Sequence, residues 1–394
     1  MRIAIVHDEL VRHGGAEQVL ISFHKAFPEA PIYTISYNPE TTFREFKSCT
    51  IKTSWFGKFV KDAKNLKRFF FPFGILAMRQ LEVTGYDVVL VSTTHSAKYV
   101  KVDPDSLLIT YCHTPFRLAW RPESYKVIAK AGFLKRRLFD IVINFLRSLD
   151  KKYAERTDWF LTNAREVVPR ILAAYNPKRN VTVINPPVKC NNFYVSNIIG
   201  DYYLVVSRFE PYKKVDLVIE AFNKMPEKKL LIVGAGSMEA ELKSMAGNNI
   251  TFRSGLSSQE LADVYSQCKA FIFPPLEDYG ITPLEANASG RPVIAYGKGG
   301  VVDTMIPVSE FNKQKATAVF FNEQTVESLT NAISLFETYS FNPDFIRRHA
   351  EKFDESSFID KLKSFVFTTY KNKSGYNVET LRSVDENSGF KLVS

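Results

Sequence analysis

The chain has 394 residues, 45% of them hydrophobic and 24% charged, a composition that excludes a disordered polymer and is too long for one ordinary core, so two domains are expected. No run reaches the roughly 18 apolar residues that cross a bilayer. The formal net charge of +10 requires an anionic partner or a dispersed origin.

Met1-Arg-Ile-Ala-Ile-Val-His7 enters a strand without an apolar signal region, so a cytoplasmic location is expected. Further strands are predicted at Tyr86 to Ser92, Leu107 to Tyr111, Asp158 to Thr162 and Val181 to Ile184, with helices such as Ala16 to Phe27 and Lys135 to Arg156 between them. This alternation implies βαβ units and a parallel sheet covered on both faces, in a domain over residues 1–190. The pattern stops at Asn185-Pro186-Pro187 and restarts at Tyr202 to Ser207. Strands then follow at Lys229 to Val233, Ile250 to Arg253, Ala270 to Pro274, Pro292 to Ala295 and Thr317 to Phe321, which predicts a second doubly wound domain over 200–342. Residues 343–371 read as C-terminal helices packing back on the first domain, and 372–394 as a mobile polar tail. The fold class is therefore α/β, with two Rossmann-like domains facing across a cleft lined by strand carboxyl ends.

Two basic segments interrupt the first domain. Lys58, Lys61, Lys64, Lys67 and Arg68 run into Phe69-Phe-Phe-Pro-Phe73, and Lys130, Lys135, Arg136 and Arg137 interleave with Phe133, Leu134, Leu138 and Phe139. One reading is contact with an anionic membrane surface through Lys58–Phe73 and Lys130–Phe139, which makes the protein peripheral; the other is a solvated helix face whose aromatics belong to the core. No nucleic-acid module accompanies the charge, so no nucleic-acid partner is expected. The cysteines, Cys49, Cys112, Cys190 and Cys268, have no metal or disulfide spacing and read as reduced, mostly buried thiols.

The densest chemistry lies in Glu277-Asp-Tyr-Gly280-Ile281-Thr282-Pro-Leu-Glu285, directly after a predicted strand. Backbone N–H groups around Gly280, Ile281 and Thr282, at a helix start, suit a phosphate. Thr282 and Glu285 also satisfy a T-x-x-E capping box, which would make Glu285 a helix-end ligand. Glu277 is left over by that reading, and a carboxylate pair around an anion site suits a sugar nucleotide with hydroxyls on either side of its diphosphate. Arg208 and Lys213 occupy another strand-to-helix loop, where two cations can converge on a departing diphosphate. Gly14-Gly15 precedes the first helix, Gly234 and Gly236 form a lone GxG after a strand, and His113 ends a strand, where a lone histidine is more often structural. No cluster has metal-ligand spacing, so no metal or other cofactor is expected.

The segment Glu277 to Glu285 resembles the E-x7-E motif of family 4 retaining glycosyltransferases, two-Rossmann enzymes of the fold called GT-B. That resemblance implies that Glu277 lies near the transferred sugar, that Glu285 holds the ribose hydroxyls, and that Ile281 and Thr282 meet the diphosphate through their backbones. Arg208 and Lys213 resemble the family's R-x4-K pair, with Lys214 standing where a glycine is usual and competing for the phosphate. Gly14 and Gly15 match its G-G-x-E loop, and His113 its histidine facing the donor sugar. By the same resemblance the Gly234-Ala-Gly236 loop approaches the nucleotide, and Arg253 and Leu256 line the base pocket. The wider stretches His113 to Trp120, Tyr212 to Asp216 and Ala295 to Gly300 look like bacterial O-antigen and capsule mannosyltransferases. These imply GDP-mannose as donor and a polyprenyl-diphosphate-linked glycan as acceptor. A sugar-nucleotide 2-epimerase of the same fold and a non-catalytic nucleotide-sugar binder are the competing readings.

Overall fold

The computed structural model describes every residue except 63, 67–69, 126–127, 129–131, 311, 313–314 and 374–394. Lys67, Arg68, Phe69, Lys130 and nearly all of the tail expected at 372–394 therefore lie outside the described residues. The chain divides into two compact units, one of Met1–Leu161, Ala174–Val181 and the stretch from Ile359, the other of Thr162–Ala173 and Thr182–Phe358. This division differs from a single linker at 190–200, because the chain changes unit several times.

The first unit is built on β1 (Ile3–His7), β2 (Ile32–Thr34), β3 (Ile51–Thr53), β4 (Glu82–Val83), β5 (Val88–Thr93), β6 (Lys101–Val102), β7 (Leu107–Cys112) and β8 (Trp159–Thr162). Its main sheet runs β3-β2-β1-β5-β7-β8, while β4 and β6 pair separately. β1 pairs in parallel with both β2 and β5, and β5 with β7. The sequences of β5 and β7, Val-Val-Leu-Val-Ser-Thr and Leu-Leu-Ile-Thr-Tyr-Cys, are buried at every position, as a strand covered on both faces requires. The reversal of strand order lies between β1 and β5.

After β9 (Thr182–Val183), the second unit supplies β10 (Tyr203–Val206), β11 (Leu230–Val233), β12 (Ile250–Arg253), β13 (Phe271–Phe273), β14 (Val293–Tyr296) and β15 (Ala318–Phe321), in the order β12-β11-β10-β13-β14-β15. All five registered pairings are parallel. Here the order reverses between β10 and β13. In open α/β sheets ligands bind outside the strand carboxyl ends at such a switch point. Apolar clusters cover both faces, one around Val218, Phe222, Ile232 and Ile333, the other around Tyr265, Phe271, Leu284 and Val293.

The C-terminal helical stretch is two helices, Pro343–Glu351 and Glu355–Lys373. From Ile359 the second belongs to the first unit, where Phe365 meets Trp159 and Phe367 meets Phe27 edge-on. All four cysteines are free; Cys112, Cys190 and Cys268 are buried and Cys49 is half-buried.

Candidate active site

In the second unit the two loops that flank the switch point carry the expected residues. The loop after β10 holds Arg208, Lys213 and Lys214, and the loop after β13 holds Glu277 to Thr282. Lys213 Nζ forms an ion pair with Glu277 Oε1, closing one loop on the other, and both side chains are largely buried. Arg208 is exposed and donates from Nη2 to the Tyr212 hydroxyl at 2.7 Å. An ammonium, a guanidinium and a carboxylate thus stand at adjacent strand ends.

The backbone at position 214 has a conformation that glycine adopts without strain. Lys214 has φ 55° and ψ 34°, left-handed, and precedes the helix Val215–Asn223. That conformation costs a residue with a Cβ about 1–2 kcal/mol. Glycine would remove this strain at an unfolded-state entropy cost of roughly 0.5–1 kcal/mol. Lys214→Gly is therefore expected to stabilise the protein by about 0.5–1 kcal/mol in urea unfolding. On the expectation that Lys213 is the phosphate ligand, donor affinity measured by titration should not change; a parallel loss of affinity would transfer that role to Lys214.

The loop after β13 is shaped from below. Gly280 has φ 91°, and a Cβ there would meet the Phe273 ring at 2.8 Å. Gly300 N donates to the Glu277 carbonyl at 2.9 Å, and a side chain at Gly299 would strike that same carbonyl. Arg170 bonds Asp278 and also reaches Glu166 at 2.8 Å. Gly299, Gly300 and Arg170 therefore hold the backbone that presents Glu277. Among the described residues the N–H groups of Gly280, Ile281 and Thr282 donate to no protein acceptor.

The capping box expected at Thr282 and Glu285 does not form. The N-cap of the helix Thr282–Ala288 is Ile281, without a side-chain cap bond. Glu285 instead accepts from the Tyr265 hydroxyl at 2.9 Å through Oε2, and burial pushes its pKa above the ordinary carboxylate value. Its other oxygen has no protein partner among the described residues. A true capping box occurs elsewhere, at Ser257 and Glu260. Glu285 is thus a held carboxylate with an acceptor to spare.

Gly234 and Gly236 belong to the loop after β11. Their φ values are 153° and 158°, and a Cβ on either would collide with the backbone of Ser207 or Phe209. The GxG lets this loop lie against the Arg208 loop. Arg253 pairs with Glu260 at 3.3 Å and borders a surface hollow with Tyr202, Leu231 and Gln267. Leu256 is partly buried against the apolar cluster rather than part of that hollow.

In the first unit Gly14 is the N-cap of the helix Gly15–Ala26. A side chain at Gly14 would run into the Glu17 carboxylate, which is buried and bonded to Arg12 at 3.2 Å. Arg12 also bonds Glu9 at 2.6 Å, and Glu9 accepts from His95 Nε2 at 2.8 Å. Asp8 accepts four backbone N–H groups of residues 94–97 at 2.5–3.2 Å, tying the end of β1 to the loop after β5. Its carboxyl is held far below the ordinary range; the His95 and His7 charges and the backbone bonds outweigh a large opposing burial effect. Asp8, Glu9, Arg12 and His95 were not singled out in the sequence. Asp8, Glu9 and Arg12 lie close together in the chain, but the partner that completes the group, His95, is 86 positions from Glu9, so no local spacing announces it.

His113 sits at the end of β7 and is buried, with Nε2 3.0 Å from Ser92 Oγ, which is itself 3.1 Å from His7 Nδ1. Burial, with a smaller push from His7, lowers its pKa to about 3. At neutral pH the imidazole is uncharged and suited to hydrogen bonding rather than to anion binding. Among the described residues no group of three His, Cys, Asp or Glu side chains is placed to hold a metal ion, and no helix is long and apolar enough to cross a membrane.

Residues 199–353 match the family model described as "Glycosyl transferases group 1". The chain is similar to the alpha-1,3/1,6-mannosyltransferase ALG2 of Candida glabrata, at 24% identity over 89% of this chain and 88% of that one. It is also similar to a GDP-mannose-dependent monoacylated alpha-(1-6)-phosphatidylinositol monomannoside mannosyltransferase of Corynebacterium glutamicum, at 28% identity over 42% of this chain and 43% of that one. Among solved structures, sucrose-phosphate synthase from Thermosynechococcus elongatus shares the fold with a TM-score of 0.67, at 16% identity over 94% of this chain and 100% of that one.

Proposed function

We propose that this chain, whose residues 199–353 match the group 1 glycosyl transferase model and whose fold is that of the GT-B structures it resembles, moves mannose from GDP-mannose, with retention, to a polyprenyl-diphosphate-linked glycan during bacterial surface-polysaccharide (O-antigen or capsule) synthesis. The observation that carries the reading is the meeting of Lys213 and Glu277 at the switch point between β10 and β13. A nucleoside diphosphate bound there takes up Lys213 and Arg208 and the three N–H groups of Gly280, Ile281 and Thr282. These donors stabilise the leaving diphosphate as the anomeric bond lengthens, in place of a divalent ion. Glu277, released from Lys213, orients hydroxyls of the transferred sugar, and Glu285 accepts from the ribose. The acceptor hydroxyl attacks from the face the phosphate leaves.

The donor sugar is supported by the mannosyltransferase names of both relatives, the nucleotide by the GDP-mannose in one of them, and a lipid acceptor by the phosphatidylinositol mannoside in the same name. Peripheral attachment to an anionic membrane through segments 58–73 and 130–139 belongs to this reading. The test is incubation with GDP-mannose, UDP-glucose and UDP-N-acetylglucosamine in turn, each with a lipid-diphosphate-linked acceptor. Mannose transfer is expected with retained anomeric configuration. Inversion at C2 without transfer would make the protein an epimerase, and donor binding without either reaction would make it a sensor.

A further inference from the structure

The helix Phe133–Ala154 has two apolar faces. Ile143, Leu146 and Asp150 point inward and are buried; Asp150 accepts from Lys98, Tyr99, Trp120 and Tyr175, which fixes the helix against its unit. On the opposite side Leu138, Ile141 and Phe145 recur at helical spacing and are 62%, 67% and 53% exposed, with Phe133 at 75%. Arg137 lies over the Phe133 ring at 5.5 Å. More than half of each of these side chains faces outward, on a helix already anchored by its other face.

The charge around it selects an occupant. Lys135, Arg136, Arg137, Lys151 and Lys152 are exposed on this helix, against the single exposed acid Asp140. A neighbouring segment repeats the pattern: Phe59 is 81% exposed beside exposed Lys58 and Lys61, and Phe73 and Leu76 are exposed in and just before the helix Ile75–Gln80. Arg79 of that helix donates to the Tyr153 hydroxyl at 2.9 Å, and Ile75, Met78 and Leu146 share one core cluster, so the two segments lie side by side on the first unit. A second copy of the chain would set these cations against like charge. An anionic bilayer neutralises them while taking up the apolar side chains.

We propose that the outer face of the helix Phe133–Ala154, centred on Ile141 and Phe145 and continued by Phe59, Phe73 and Leu76, is the surface by which the first unit docks on anionic lipid. This extends the membrane attachment proposed above. It continues the contact proposed for segment 130–139 along the same helix to residues 138–145. Lipid binding needs neither donor nor acceptor, so this inference and the mannosyl-transfer reading can fail separately.

The experiment is flotation of the full chain with vesicles of phosphatidylcholine containing one-third phosphatidylglycerol, and with phosphatidylcholine alone. Wild type should float with the anionic vesicles only. Arg136→Gln with Arg137→Gln should weaken binding about fivefold per cation, roughly 25-fold together. Ile141→Ser with Phe145→Ser should reduce it further and leave a residue abolished by salt. Both pairs lie on exposed positions, so the melting temperature serves as a control for folding. Equal flotation with neutral vesicles, or unchanged binding in both variants, overturns the proposal. So does a wild-type dimer that becomes monomeric in the Ile141/Phe145 variant without any lipid binding, since the face would then belong to a second copy.

Discussion

Lys213→Ala is expected to lower turnover by roughly 10²- to 10³-fold, the usual cost of removing one donor from the stabilisation of a developing anion. Lys213 is 15% exposed and Glu277 21%, so the pair is only partly solvated and its ammonium is well placed to act on a diphosphate. The stability of the pair itself is small, about 1 kcal/mol or less for an ion pair that water still reaches. The two effects therefore separate by measurement. Steady-state kcat with saturating donor should collapse in Lys213→Ala, while the unfolding midpoint moves little. Lys213→Met combined with Glu277→Gln removes the pair without leaving an unpaired carboxylate. If Lys213 served only to neutralise Glu277, this double variant would turn over as fast as Glu277→Gln alone. A loss beyond that of Glu277→Gln assigns the cation to the leaving group.

Much of the fold was legible because parallel strands write themselves as apolar runs. Ile250–Arg253 was read with both its ends correct, and the other strands of the second unit within one or two residues. What escaped was short or long-range. β2 and β3 are three residues each, too brief to show a period, and are specified by pairing with β1 and with each other. The site followed the same rule. Arg208, Lys213 and Glu277 were visible because they lie in two short motifs, each in the loop after a strand, but their meeting depends on strand order, which periodicity does not encode. The sequence could not exclude the capping box at Glu285, because the side chain's actual partner, Tyr265, lies 20 residues away on another helix. Lys214 looked like a departure from pattern; its left-handed backbone shows that the pattern is about φ rather than about charge.

That distinction at Glu285 sets the second large expectation. Glu285→Gln retains an amide oxygen for the Tyr265 hydroxyl but replaces the spare acceptor with an N–H₂ group, which cannot accept a proton from a ribose hydroxyl. Hydrogen bonds to a charged group contribute about 1.5–3 kcal/mol, so donor affinity should fall roughly 10- to 150-fold. Folding stability should change by less than about 1 kcal/mol, because no helix-end N–H depends on this carboxylate. Tyr265→Phe removes the neutral partner and leaves the charge, so it should weaken donor binding less, by about 0.5–1.5 kcal/mol through a less well-oriented carboxylate. The measurement is calorimetric titration with the nucleotide sugar and with its nucleoside diphosphate, paired with thermal unfolding of each variant. Since both ligands carry the ribose, Glu285→Gln should weaken both alike, whereas Glu277→Gln, on the proposed role, removes a sugar contact and frees Lys213, so it should weaken the nucleotide sugar without weakening the nucleoside diphosphate. A Glu285→Gln protein that melts early and binds both ligands as the wild type does would return the residue to a helix-end role and leave the ribose without its partner.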